Sequence, residues 1–119
     1  MTHDEIAAMI AGIGLPYAYH EFKPEEAVDP PFICFLYPAR DDFRADGKNY
    51  AKIQQLTIEL YTDDPDFALE QRVEDALADA DLVYAVQGPT YIESEKMFMT
   101  TYDTSVLLDR QENETEVNP

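Results

Sequence analysis

A period-two pattern of side chains between Asn49 and Thr62 constrains the fold of this chain more than any other feature. Leu56, Ile58 and Leu60 alternate there with polar or amphipathic residues. Because successive side chains of a strand point to opposite faces of a sheet, the segment predicts a long strand with one packed and one open face. A sheet with one apolar face needs elements that cover it.

A second strand is predicted from Phe32 to Tyr37, "FICFLY", which is too short for an ordinary helix and lies between two prolines. Its continuous apolar character is typical of a strand buried on both faces, and it makes Cys34 a core thiol. This strand should pair with the segment 49–62 as a hairpin. The polar stretch between them, "DFRADGKNY", is then a long hairpin tip in which Asp46-Gly47 supplies a turn with positive φ.

Two segments show the periodicity of helices. The first begins at a capping box between Thr2 and Glu5 and ends at the glycines 12 and 14. The second is predicted to begin at Asp64, whose side chain can accept hydrogen bonds from free amides, followed by a proline in the first turn. The expected buried stripes are Ile6, Met9, Ile10 and Ile13 in the first helix, and Leu69, Val73, Ala76, Leu77 and Ala80 in the second.

Three further strands complete the predicted order. They are Tyr17–Phe22, Leu82–Val86 and a long strand Tyr91–Leu108 bent near residues 93–96, with Gly88-Pro89 as a turn. The proline-rich segment 23–31 is an extended connection. We therefore predict an α+β fold: a mainly antiparallel sheet of four to five strands with two helices on one face, in a single domain 1–108. Residues 109–119 are predicted to be an acidic, disordered tail.

Composition and charge limit the kinds of partner and the cellular setting that this chain can have. The 119 residues carry a formal charge of −17, which opposes tight binding to nucleic acid or anionic lipid. A single cysteine allows neither an intrachain disulfide nor a cysteine-rich zinc cluster, which favours a cytosolic setting. The N-terminus lacks the pattern of a secretory signal, and no apolar run approaches the length of a membrane span, so no membrane association is expected.

Catalytic patterns are weak. The two histidines are His3, at the N-terminus, and His20, in the first predicted strand. Neither is expected to activate a nucleophile, since Cys34 is expected to be buried. A calcium loop with Asp42 at its first position would place Ile53 at the bidentate twelfth, so that motif fails. No phosphate-binding glycine pattern exists, and paired carboxylates stay open as a glycosidase-type alternative. We predict no catalytic residue, no cofactor and no metal.

The hairpin tip is the candidate partner-binding site. Its aromatic residues and arginine can anchor a partner while its charges set the register. The residues concerned are Phe43, Arg44, Asp46, Gly47, Lys48 and Tyr50. The alternative is a solvated tip with Phe43 folded back on its own strand.

Five ordered segments resemble a small protein encoded in the structural gene clusters of long-tailed bacteriophages and of prophages in Gram-positive bacteria. The resemblance covers most of the chain and does not extend to the tail. The segments are "GLPYAYHEF", "PPFICFLYP", "DFRADGKNY", "IQQLTIELYTDDPD" followed by "ALEQRVEDAL", and "TYIESEKMFMTTYD".

This resemblance implies a tail-terminator or head–tail joining protein, an α+β domain that forms a ring, often hexameric, and caps the tail tube. Its implied partners are further copies of itself, tail-tube protein and head-connector protein. It would be found in the host cytoplasm during assembly and then in the virion tail or the head–tail junction. The alternatives are a minor capsid or adaptor component and, from a different class, a small-ligand binding module. An acidic helix face or tail lining the ring would repel DNA passing through it.

Overall fold

Six strands form one sheet and two α-helices lie on one of its faces in the computed structural model, which describes residues 1–109. The predicted α+β class is therefore confirmed. The strand count exceeds the expected four to five because the hairpin tip itself forms a strand. In chain order the elements are α1 His3–Ala11, β1 Tyr17–Tyr19, β2 Phe32–Leu36, β3 Phe43–Ala45, β4 Lys48–Thr62, α2 Phe67–Asp79, β5 Tyr84–Ile92 and β6 Met97–Leu108.

Strand β4 is the centre of the sheet, whose order is β1-β2-β4-β6-β5. It pairs antiparallel with β2 on one side, with Phe35 opposite Ile58, as the predicted hairpin requires. On the other side it pairs antiparallel with β6 from Lys52 to Thr62. The only parallel pair of the sheet within residues 1–109 joins β1 to β2.

The core lies between the helices and the covered face of the sheet. The predicted stripe of α1 is confirmed at Ile6, Ile10 and Ile13, and that of α2 at Val73 and Leu77, all of which are buried. They pack in one cluster with sheet residues Ile33, Phe35, Leu56, Ile58, Leu60, Tyr102 and Val106. In β2, Ile33 and Phe35 lie on one face and Cys34 lies on the other, and all three are buried. The prediction that this strand is buried on both faces is therefore confirmed for its middle.

The two helix starts differ in how well the sequence identifies them. The capping box of α1 is present: the Thr2 hydroxyl accepts from the Glu5 amide, and the Glu5 carboxylate accepts from the Thr2 amide. The predicted cap of α2 at Asp64 is wrong. The capping residue is Asp66, whose side chain accepts a hydrogen bond from the Leu69 amide at 3.1 Å, and the helix begins at Phe67.

Three predicted segments have different bounds in the structure. Strand β1 ends at Tyr19, because His20 has φ +71 and leaves the extended conformation. The connection that follows contains a 3₁₀ turn, Pro24–Glu26. Gly88-Pro89 does not form a turn: it lies inside β5, where the pairing with β6 shifts register. The chain reverses instead at residues 93–96, so the predicted strand 91–108 is two strands.

Neither helix within residues 1–109 is long and apolar enough to cross a bilayer. The predicted tail 109–119 falls, except for its first residue, outside the described residues.

Candidate functional site

A two-stranded arm extends past the end of the main sheet. We define the arm as residues 43–51, which comprise β3 and the first part of β4. The pairing of β4 with β6 begins at Lys52, and its pairing with β2 begins at Thr57. Within the described chain the part of β4 from Lys48 to Ala51 therefore pairs with β3 alone. The arm is a projecting hairpin with a hydrogen-bonded backbone, and among residues 1–109 no other strand lies beside it.

The tip of the arm is a two-residue turn at Asp46 and Gly47, whose φ angles are +53° and +73°. Two successive positive φ values are the signature of the turn type that matches the twist of a β-hairpin. The predicted turn is therefore confirmed at both of its residues. An irregularity between Phe43 and Arg44 places one extra residue, Tyr50, in the opposite strand.

The arm brings together the six residues predicted as a partner-binding site. Phe43 is 60% exposed and Tyr50 is 64% exposed, so neither ring is covered by the body of the protein. The alternative in which Phe43 folds back on its own strand does not fit that exposure. Arg44, Asp46, Gly47 and Lys48 are exposed as well. Their contact with a partner remains a prediction.

A carboxylate clamp holds the base of the arm. Asp42 accepts from the Nε and Nη2 atoms of Arg40 at 2.7 and 2.6 Å. It also accepts from the Asn49 side-chain amide at 2.9 Å and from the Ile53 backbone amide at 3.1 Å. One side chain thus joins the strand that enters the arm to the strand that leaves it. Forked pairing of arginine with a carboxylate fixes orientation as well as distance.

The clamp was missed by sequence reasoning, which considered Asp42 only as a calcium ligand. Asn49 and Ile53 are 7 and 11 residues from Asp42 along the chain, so no short sequence motif links them to it. Only the register of the hairpin brings them together. A usable signal exists in the i, i+2 spacing of Arg40 and Asp42, which places both side chains on one side of an extended segment.

The pKa of Asp42 is lowered to about 2; the hydrogen bonds from Arg40 are the largest cause, and those from Asn49 and the Ile53 amide contribute to the same shift. Because the folded-state pKa lies below the ordinary value of 3.8, ionised Asp42 stabilises the fold above about pH 4. This contribution is lost as the pH falls from about 4 through about 2.

We therefore expect Asp42→Asn to lower the melting temperature by a few degrees at neutral pH, with a difference from the wild type that narrows below about pH 4. Melting curves followed by circular dichroism between pH 2 and pH 7 measure this difference. Asp46→Asn is the matched control, since asparagine tolerates the left-handed backbone at the turn. A difference that stays constant down to pH 2 would contradict the role of the clamp.

A groove lies at the opposite end of the sheet from the arm. Its volume is about 630 Å³, and we call it the end groove. It lies on the sheet face opposite the helices, between the connection that follows β1 and the turn that joins β5 to β6. Aromatic and apolar side chains form much of its lining: Phe22, Val28, Phe32, Tyr61, Ile92 and Met97. Glu21 and Glu95 add negative charge to the lining.

The Cys34 thiol also lines the end groove, but its environment opposes reactivity. Burial, with smaller contributions from the charges of Glu59 and Glu21, raises its pKa to about 11. The thiolate is the nucleophilic form of cysteine, so very little of it exists at neutral pH. Cys34 therefore acts as a packing residue, as predicted.

His20 lines the end groove together with Cys34, whereas His3 is not part of that lining. The Nδ1 atom of His3 lies 3.1 Å from the hydroxyl of Tyr37, and the His20 backbone amide donates to the carbonyl of Phe35. Among residues 1–109, no three His, Cys, Asp or Glu side chains converge in an arrangement able to hold a metal ion.

The charged residues of α2 are partly engaged in contacts with the rest of the domain. Arg72 donates to the carbonyl of Ile13 and so joins α2 to the end of α1. Glu74 accepts from the Tyr84 hydroxyl at 2.9 Å. Burial raises the pKa of Glu70, with the charges of Glu74 and Asp66 adding to it. Asp75 and Asp79 stay exposed on this helix.

Comparison with known proteins adds no family assignment. The chain matches no protein-family model, and no curated protein matches it significantly.

Proposed function

We propose that this protein is a non-enzymatic assembly protein of a bacteriophage tail, which forms a ring at the end of the tail tube and joins it to the head connector. The observation that carries the proposal is the arm, with Phe43 and Tyr50 exposed on a clamped hairpin. Rigid presentation of aromatic anchors lowers the entropic cost of docking. The resemblance of five sequence segments to tail-terminator and head–tail joining proteins supports the same role.

The negative charge of the chain suits this function. A ring at the end of the tube must let DNA pass without holding it, and fixed negative charge repels phosphate groups over about a Debye length. In the proposed ring the exposed carboxylates of α2, such as Asp75 and Asp79, face the channel. The protein then acts in the host cytoplasm during assembly and stays in the virion at the tail or the head–tail junction.

The charge also predicts how self-association responds to salt. Copies that each carry −17 repel one another, and raising the ionic strength from about 0.01 M to about 0.15 M shortens the Debye length from about 30 Å to about 8 Å. We expect the average mass of the protein to rise several-fold over this range at fixed protein concentration. Sedimentation velocity measures the effect. A protein that stays monomeric in every salt and ignores purified tail-tube protein would contradict the proposal.

The second candidate is a small-ligand binding module, which the end groove favours. Its volume of about 630 Å³ falls within the range of small-molecule sites. A specific ligand would raise the melting temperature in proportion to the logarithm of its concentration. A thermal-shift screen that finds such a ligand, together with failure to bind tail-tube protein, would favour this module. A minor capsid or adaptor role would be favoured by binding to capsid or connector protein in place of tail tube.

A further inference from the structure

Charge is divided unevenly between the arm and the rest of the chain. The arm carries Arg44 and Lys48 against the single carboxylate of Asp46, a formal charge of +1. The whole chain carries −17, so the remaining residues carry −18. The arm is therefore a basic, aromatic projection on a strongly acidic protein. Its natural complement is an acidic surface with space for aromatic rings.

The end groove has those two properties. The segments that border it, residues 21–29 and 93–96, contain six carboxylates and two lysines, a formal charge of −4. The carboxylates are Glu21, Glu25, Glu26, Asp29, Glu93 and Glu95, and all of them are exposed. Behind this acidic rim the groove is lined by aromatic and apolar side chains, including Phe22, Phe32 and Tyr61.

The arm and the end groove of one copy cannot meet. Tyr50 belongs to the arm and Tyr61 to the groove, and both lie on β4. A strand rises about 3.3 Å per residue, so the two sites are separated by roughly 35 Å along a single strand. The longest dimension of the molecule is 53 Å, which agrees with sites at opposite ends. The partner of the arm must therefore come from another molecule.

The edges of the sheet offer a poorer route to self-association. Strand β1 is three residues long. Strand β5 is interrupted by Gly88-Pro89, where the proline has no amide to donate to an added strand. Short and interrupted edges are devices by which proteins resist the addition of another strand. Side-chain docking in the end groove remains the stronger candidate.

We propose, resting on the ring-forming function above, that the arm of one copy docks in the end groove of the next copy, in a head-to-tail contact. Phe43 and Tyr50 enter the groove, while Arg44 and Lys48 pair with Glu21 and Glu95 at its rim. Because the two surfaces differ, the contact is heterologous. Repetition of such a contact closes into a ring if the rotation between copies allows it, and otherwise gives a filament.

Two variants of the full chain isolate the two halves of this contact. Phe43→Ser with Tyr50→Ser removes the anchors of the arm. Glu21→Lys with Glu95→Lys reverses the two charges proposed to pair with the arm and changes the formal charge of the groove rim from −4 to 0. All four side chains lie outside the buried core, so both variants are expected to fold. Each variant alone should be monomeric under conditions in which the wild type forms higher oligomers, as measured by sedimentation velocity.

An equimolar mixture of the two variants provides the decisive measurement. The intact arm of the groove variant can dock in the intact groove of the arm variant, but neither remaining end can continue the chain of contacts. We expect a dimer and no larger species. A mixture that stays monomeric, or that builds higher oligomers, would overturn the head-to-tail contact.

Two controls separate this contact from general effects of charge and exposure. Asp4→Lys with Asp64→Lys makes the same change in charge as the groove variant, but at two exposed positions outside both sites, and should keep the wild-type oligomers. Val83→Ser removes an exposed apolar residue outside both sites, at 89% exposure, and should do the same.

Failure of the inference can be distinguished from failure of the proposed function. If the wild type forms rings and both double variants do so too, the subunit contact lies elsewhere and the ring proposal stands. If the wild type is monomeric at all concentrations and salts and does not bind tail-tube protein, both proposals fail. If the wild type is monomeric and the groove variant loses binding to tail-tube protein, then the end groove binds the tube subunit instead of a second copy, and the inference is wrong.

Discussion

Replacement of Ile58 by alanine is expected to lower the free energy of unfolding by about 2–5 kcal/mol. Ile58 is completely buried at the middle of β4, with Phe35 opposite it on β2 and Tyr102 opposite it on β6. The loss combines the transfer free energy of the removed atoms with the cost of the cavity left among rigid neighbours. Since a domain of this size has a net stability of about 5–15 kcal/mol, the variant should unfold at a much lower urea concentration.

Leu107→Ala is the matched control for Ile58→Ala. Leu107 lies in the adjacent strand on the open face of the sheet and is 58% exposed. Its removal should change the free energy of unfolding by no more than about 0.5 kcal/mol. Equal losses in the two variants would show that the covered face of β4 is not the main source of stability. The milder Ile58→Val should cost about 0.5–1.5 kcal/mol.

The stability of β4 bears on function because the same strand carries the arm at its first residues and lines the end groove near its last. A variant that destabilises the core should therefore reduce binding at the arm and at the end groove together. Changes within the arm or at the groove rim should reduce binding at one of the two surfaces only. Assembly measurements on Ile58→Ala should be made well below its unfolding transition, so that loss of folded protein is not read as loss of contact.

The sequence predicted those elements whose signals are repeated along the chain. The alternation from Leu56 to Leu60 identified β4, and the spacing from Ile6 to Ile13 identified α1. Several consecutive positions agree in each case, so a single exception does not change the assignment. The turn at Asp46-Gly47 was also predictable, because few residues adopt two successive positive φ values.

The wrong predictions rested on one or two residues whose signals are ambiguous. The stretch "TDDPD" contains three aspartates able to cap a helix, and packing of the buried Val73 and Leu77 decides that Asp66 does so. Gly88-Pro89 is common both in turns and in strand irregularities, and only the register between β5 and β6 distinguishes them. The clamp at Asp42 and the end groove depend on residues from distant segments, which only the tertiary fold brings together.

Gly88→Ala is expected to be the second most damaging change, with a loss of about 2–5 kcal/mol. Gly88 has φ +99°, and a side-chain carbon there would lie 2.7 Å from the Met99 carbonyl oxygen and 3.0 Å from the Thr90 amide nitrogen. The backbone conformation alone costs a residue other than glycine about 1–2 kcal/mol. Forcing apart two hydrogen-bonded strands adds an overpacking cost of about 1–3 kcal/mol.

Gly47→Ala separates these two costs, because Gly47 also has a positive φ, +73°, but no atom lies within 4 Å of the added carbon. It should lose only the conformational part, about 1–2 kcal/mol. Urea unfolding of both variants, followed by circular dichroism, measures the difference that the close approach of β5 to β6 contributes. If the two glycine variants lose the same stability, the irregularity in β5 is not packed against Met99, and the register between these strands must differ from the one described.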